Sequence, residues 1–164
     1  VFSPQGVWRR SVGIEKSGAS LFRKPLGITL GRDETLFVAD AGAGVIQAFT
    51  PVGTLGRRIE LALPGGKPTG LIDAALAPDG HLYAVDNLNN RVLLIGNEGL
   101  ERTIGRQGPQ TGEFSAPGFC ATDASGVLYL ADTLNARVQV FSPAGDSTPR
   151  TNMCSASQPS LRPK

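Results

Sequence analysis

The chain has 164 residues, 40% of them hydrophobic, enough for one domain-sized core. Its 21 glycines and 12 prolines argue against helical packing and suit short strands joined by turns. The net charge of +2 argues neither for nor against nucleic acid, while 6% aromatic residues is low for surfaces that stack bases. No apolar run is long enough to cross a bilayer as a helix.

Residues 1–13 read as the end of a unit. Val1-Phe-Ser-Pro-Gln-Gly6 echoes Val140-Phe-Ser-Pro-Ala-Gly145 and, more loosely, Ala48-Phe-Thr-Pro-Val-Gly53. The alternation in Val7–Val12 predicts a short, half-exposed outer strand. The start does not have the pattern of a signal peptide, and the missing initiator methionine suggests a processed or excised piece. A polar loop over 15–23 follows, with Phe22 as its anchor.

The first full unit runs from Lys24 to Leu63. Its expected strands are Pro25–Leu30, Thr35–Ala39, Val45–Phe49 and the more charged Leu55–Leu61, with turns at Gly31–Glu34 and Pro51–Gly53. The second unit repeats that order through Pro68–Ala77, Leu82–Val85, Val92–Ile95 and Leu100–Ile104. Its first strand is longer by about three residues, which predicts a bulge or a lengthened loop. After a loop over 105–112, the third unit offers Pro117–Thr122, Leu128–Ala131 and Arg137–Phe141. The outer strand of this last unit is missing, because residues 147–164 are polar and rich in Pro and Ser and read as an extended or disordered tail.

The copies are in register. Asp40, Asp86 and Asp132 stand 46 residues apart, as do Gly53, Gly99 and Gly145. A period in this range, built from four short strands and turn glycines, is the pattern of propeller blades. A twisted four-stranded sheet has two faces to cover, and stacking on its neighbours covers both. The fold expected is all-β, a partial β-propeller over 1–146 with two full blades, one three-stranded blade and outer-strand material at the N-terminus. An open solenoid is the alternative.

Pro68-Thr-Gly70, Leu82-Tyr-Ala-Val-Asp86 and Asn89-Asn-Arg91-Val fit the blade pattern of the NHL repeat family. Pro117-Gly-Phe, Leu128-Tyr-Leu-Ala-Asp132 and Asn135-Ala-Arg137-Val-Gln-Val-Phe141 fit it more closely. The chain resembles that family over about residues 1–145. The first copy keeps Pro25-Leu-Gly27 and Asp40 but has Ala43 and Val45 in place of Asn and Arg. The resemblance implies a propeller that is commonly closed, so two open blade ends are expected to be covered by a protein partner, a second copy, or further parts of a longer chain.

Three in-register aspartates invite a catalytic or metal reading. Repetition favours a turn-fastening one: a carboxylate at a strand end accepts N–H groups of the turn that follows. Asn89 and Asn135 are expected to take left-handed turn conformations, with Arg91 and Arg137 pairing with the acid of their own or the adjacent blade. His81 is the only histidine and sits in a turn. Amidating lyases of the resembled family look like metalloenzymes with several histidine ligands, which one histidine cannot supply. Calcium at Asp73, Asp79 or Asp123 has weak support. Cys120 and Cys154 fit no closed metal site and leave both free thiols and a disulfide open. Arg9, Arg10, Arg57, Arg58, Arg102 and Arg106 form the candidate interaction rim, or alternatively the solvated side of edge strands. The resulting expectation is a non-enzymatic module for protein interaction or assembly, without metal or cofactor. An RNA-binding propeller using the arginine rim, or a metal-dependent enzyme domain, is the alternative.

Overall fold

The computed structural model describes residues 1–14, 18, 20–61 and 70–143. The tail over 147–164, Cys154 and the lengthened connection ahead of Gly70 lie outside the described residues. Among the described residues eleven strands form three antiparallel sheets. The first blade is β1 (Pro25–Leu30), β2 (Leu36–Asp40), β3 (Val45–Phe49) and β4 (Leu55–Glu60). The second is β5 (Leu71–Leu76), β6 (Leu82–Asp86), β7 (Arg91–Gly96) and β8 (Gly99–Ile104). The third is β9 (Pro117–Thr122), β10 (Leu128–Asp132) and β11 (Arg137–Phe141), with a 3₁₀ turn over Thr133–Asn135. Within each sheet the strands lie side by side in chain order. The first strands of successive blades touch, β1 on β5 and β5 on β9, so the sheets radiate from a common inner edge. The architecture is that of a partial propeller.

Period-two alternation explains how one strand serves two interfaces. All of β6 is buried. Leu82 and Ala84 pack toward the first blade with Ala39, Ile46, Ile59, Leu93 and Ile95. Tyr83 and Val85 pack toward the third with Val92, Leu94, Leu128, Leu130 and Phe141. A strand in the middle of a stack therefore has no solvent face, and its sequence reads as a continuous apolar run.

The inner strands need smaller residues because they lie closest together. A Cβ on Gly27 would stand 2.2 Å from Asp73 Oδ1 and 2.6 Å from its Cα. Beyond it, Thr29 Oγ1 accepts from Leu76 N at 3.3 Å. The next joint repeats the arrangement: Cys120 N donates to Asp73 Oδ2 (3.0 Å) and Thr122 Oγ1 to Leu76 O (2.6 Å).

A bulge between Leu71 and Asp73 lies where the longer second unit predicted one. The first and third blades carry bulges at the equivalent place, between Pro25 and Gly27 and between Leu130 and Asp132, so the feature belongs to the blade rather than to the insertion. Val7–Val12 differs from its prediction as a strand. Its described pairing is one bridge, Phe2 with Trp8, closed by Ser3 N to Val7 O (2.8 Å) and Gly6 N to Ser3 O (2.9 Å). An outer strand forms only against a third strand, and the described partners of this segment lie in Val1–Ser3. Phe22 anchors its loop as expected, with its ring 5.4 Å from that of Phe49. Phe114 takes the same seat against Phe141 at 5.8 Å.

Candidate functional site

The repeated aspartates end β2, β6 and β10, and all three are fully buried. Each carboxylate joins the turn that follows it to the segment that enters its own blade. Asp86 Oδ1 accepts Gly70 N at 2.8 Å, and both its oxygens receive Asn89 Nδ2, at 3.0 and 2.9 Å. Arg91 Nε completes the set at 2.8 Å from Oδ2. Asp132 receives Ser115 N (2.7 Å), Asn135 Nδ2 (2.9 Å), Arg137 Nε (2.8 Å) and Gln139 Nε2 (2.9 Å). Asp40, lacking Asn and Arg nearby, takes Arg23 N (2.8 Å), Lys24 N (2.7 Å) and Ala43 N (3.3 Å), with Gln47 Nε2 at 3.4 Å.

The electrostatics follow from those donors. Burial pushes the Asp40 carboxyl up, but the N–H groups of Arg23, Lys24, Ala43 and Gly42 outweigh it and hold the pKa below its ordinary value. At Asp132 burial is likewise outweighed, by Ser115 N–H and then by Asn135, Arg137 and Gln139. These carboxylates are saturated with donors, which suits a fastener and leaves little capacity for proton transfer.

Asn89 and Asn135 serve as side-chain donors rather than as left-handed residues. The positive φ falls one position later, at Asn90 (52°) and Ala136 (51°), matching Gly44 (66°) in the first blade. Arg91 and Arg137 pair within their own blades. Arg137 also donates to Pro109 O, Gln110 O and Glu113 O, so its whole fork holds the loop ahead of β9.

The sequence did not single out Gln47 and Gln139, which lie two periods apart and tie Asp to the entering loop. Gln139 bridges Asp132 Oδ2, Glu113 O and Gly112 N. Nor did it single out Asn87, which donates to Pro117 O (2.8 Å), or Asn90, whose Oδ1 accepts Ala116 N (2.8 Å). These two fasten the second blade to the third. The signal was present only as polar residues at fixed spacing.

The arginines expected at the rim are spread over separate partners. Arg10 donates to Pro51 O, and Arg57 donates to Asn97 O at 2.8 Å. Both run from an outer segment to the third-to-fourth-strand turn of the next blade. Arg58 pairs with Glu60 (2.7 Å) and Arg106 with Glu113 (3.0 Å). Arg102 lies on β8 and Arg9 in the N-terminal hairpin.

His81 bridges Asp79 and Glu101, at 3.1 and 3.2 Å. Its pKa is raised by the hydrogen bond to Asp79, against some burial and with help from both acidic charges. Asp73 is the opposite of the turn acids: burial raises its pKa despite the N–H of Cys120. Burial, with the nearby Asp73 charge, also pushes the Cys120 thiol far up. Among the described residues no group of three or more His, Cys, Asp or Glu is placed to hold a metal ion. The several-histidine metal centre implied by amidating lyases is therefore not one that the described residues can build.

Inner-edge stacking, radiating sheets and aspartate turns define the class: a β-propeller with NHL-like blades. No family model matches the sequence. The chain is 29% identical over 152 residues to a Caenorhabditis elegans protein named as a probable peptidyl-alpha-hydroxyglycine alpha-amidating lyase, covering 83% of this chain and 42% of that one. It is 27% identical over 125 residues to NHL repeat-containing protein 3 of Mus musculus, covering 66% of this chain and 35% of the other. Among solved structures it superposes on catalytically inactive virginiamycin B lyase from Staphylococcus aureus with a TM-score of 0.60 and 21% identity, over 81% of this chain and 45% of that one. That likeness shows the fold. The chain spans less than half the length of these curated relatives.

The expectation of a non-enzymatic protein is corrected by these relatives, since the alignment covering most of this chain is to a protein named as a lyase. The reason is physical extent: the chain spans less than half of these relatives, so its three blades with one histidine cannot be used to exclude chemistry in the whole.

Proposed function

We propose that this chain forms part of a propeller lyase whose substrate is a peptidyl-α-hydroxyglycine. The observation that carries the reading is the alignment to the C. elegans relative over 83% of the chain. In it, the three blades supply wall and rim to a central channel. The saturated turns at Asp40, Asp86 and Asp132 hold the segments entering each blade in fixed positions, the rigidity a positioned site requires. Among the described residues the turn acids are committed to their donors and His81 to its two acidic neighbours. The assembly role expected from the sequence fits the same reading, through the open ends of the stack.

The test is incubation of the purified chain with a peptide ending in α-hydroxyglycine, following the peptide amide by mass spectrometry. Amide release above the spontaneous rate, unchanged in His81→Ala, is expected. No acceleration over the spontaneous rate would overturn the reading.

A further inference from the structure

At each aspartate turn the segment entering the blade and the residue two places after the acid share one seat, and the blades fill it differently. In the first blade it is filled from the entering segment. Arg23 and Lys24 give their N–H groups to Asp40, and their Cβ atoms lie 2.8 and 2.9 Å from where a side chain on Gly42 would begin. In the second blade the roles are exchanged. Gly70 donates to Asp86, and Leu88 takes the space that a side chain on Gly70 would need. The third blade follows the second, with Leu134 over the entering segment and its N–H on Ser115 O at 3.0 Å.

These seats lie on one face. Lys24 and Gly70 stand one residue ahead of β1 and β5, which run the same way and touch from Gly27 at Asp73 to Thr29 at Leu76. A cationic pair in the first blade is thus followed along the inner edge by a leucine in the second and another in the third. Leu88 is 63% exposed although its blade has a sheet on either side, so its exposure belongs to the face and not to an end of the stack. Leu134 is exposed as well. Arg91, Arg106 and Arg137 on this face are paired with Asp86, Glu113 and Asp132. Arg23 and Lys24 are exposed, and among the described residues neither side chain has a carboxylate within ion-pair distance.

Given the lyase reading, on which this rests, we infer that the face binds the C-terminal end of an apolar peptide, its carboxylate between Arg23 and Lys24 and its side chains over Leu88 toward Leu134. Two adjacent cations without a counter-ion select an anion, and a guanidinium can hold both oxygens of a carboxylate. One exposed leucine is ordinary, but two at the same seat of successive blades, next to that pair, form a surface of matching polarity for such a peptide.

Fluorescence anisotropy of the full chain with a dye-labelled Leu-Phe-Gly peptide, which lacks the α-hydroxyl and is not turned over, tests the inference. The free acid should bind about tenfold more tightly than the same peptide ended by an amide, the loss expected for a charge-assisted contact. Arg23→Gln with Lys24→Gln should abolish that difference without shifting the thermal midpoint, because backbone N–H groups hold Asp40. Leu88→Ser should weaken Leu-Phe-Gly by about fivefold and leave the acid-to-amide ratio unchanged. Equal binding of acid and amide, or a ratio that survives the double substitution, overturns the inference. So does equal binding of a Ser-Ser-Gly peptide, which would mark a general anion patch. Release of peptide amide that is indifferent to Arg23, Lys24 and Leu88 would sink this inference and leave the lyase reading standing, whereas peptide binding as described without release would do the reverse.

Discussion

The turns at Asp40 and Asp86 meet the same demand with different donors. Both carboxylates are fully buried at the end of a second strand. Asp86 is met by one backbone N–H, an amide and a guanidinium. Asp40 is met chiefly by backbone N–H groups, with Gln47 at the edge of reach. A buried carboxylate requires donors, and it does not matter which part of the chain supplies them. The loss of Asn and Arg in the first blade is therefore tolerated where the loop ahead of β1 turns two N–H groups inward. The Asp132 turn combines both solutions.

Removing the acid separates the two designs most strongly. Asp86→Ala leaves Arg91 partly buried without its partner and should cost about 3–5 kcal/mol. Asp40→Ala strands only neutral N–H groups and should cost about 1–3 kcal/mol. Urea unfolding of the two variants measures the difference, and equal losses would break the comparison.

The inner strand gives the next largest effect. Gly27→Ala forces a methyl against the Asp73 backbone and should destabilise by about 1–3 kcal/mol through overpacking. Gly118→Ala meets Thr133 Oγ1 at 2.8 Å and Ala131 at ordinary contact distance, and should cost less. Thermal midpoints of the two proteins rank them.

At the left-handed position the first blade uses Gly44 and the third uses Ala136 at φ 51°. Ala136→Gly should therefore raise stability by about 0.5–1 kcal/mol, because a Cβ is strained in that conformation. A fall in the thermal midpoint would show that the turn is not strained.

The pH dependence distinguishes turn acids from the inner-strand acid. Asp40 and Asp132 have folded-state pKa values below their unfolded ones, so their contribution is present near neutrality and is lost as pH falls through the unfolded value toward the folded one. Asp73 has the opposite sign: its pKa is raised, so ionisation opposes folding above the unfolded value, and acidification relieves it. Asp73→Asn should leave the protein more stable at pH 7 and steepen its loss of stability on acidification. Denaturation at pH 7 and pH 4 measures both. The smallest effect belongs to the rim: Arg57→Ala removes one exposed bond to Asn97 O and should cost at most about 0.5 kcal/mol in the same assay.

Much of this was legible in the residues. The 46-residue register placed the three aspartates at strand ends, and the first strand of the third blade and the third strands of the first and third appear with the boundaries their composition predicted. The turns were legible only in part. The sequence marked Asn89 and Asn135 but not their role, because an asparagine suits both a left-handed backbone and an amide donor. The neighbours Asn90 and Ala136 carry the positive φ, and an alanine there has no local signature.

What the sequence determined by itself is local and periodic: alternation that makes strands, glycines and aspartates that turn them, and a repeat whose sheets must stack because each has two apolar faces. Tertiary structure alone decided the rest. It chose which of the loops, 16 or 17 residues upstream, would turn an N–H toward each aspartate. It assigned Arg10 and Arg57 to carbonyls of the following blade. It left Ile28, Leu30, Phe119 and Val138 uncovered at the two ends. These outcomes depend on distances between segments far apart in the chain, and no residue in either segment encodes such a distance alone.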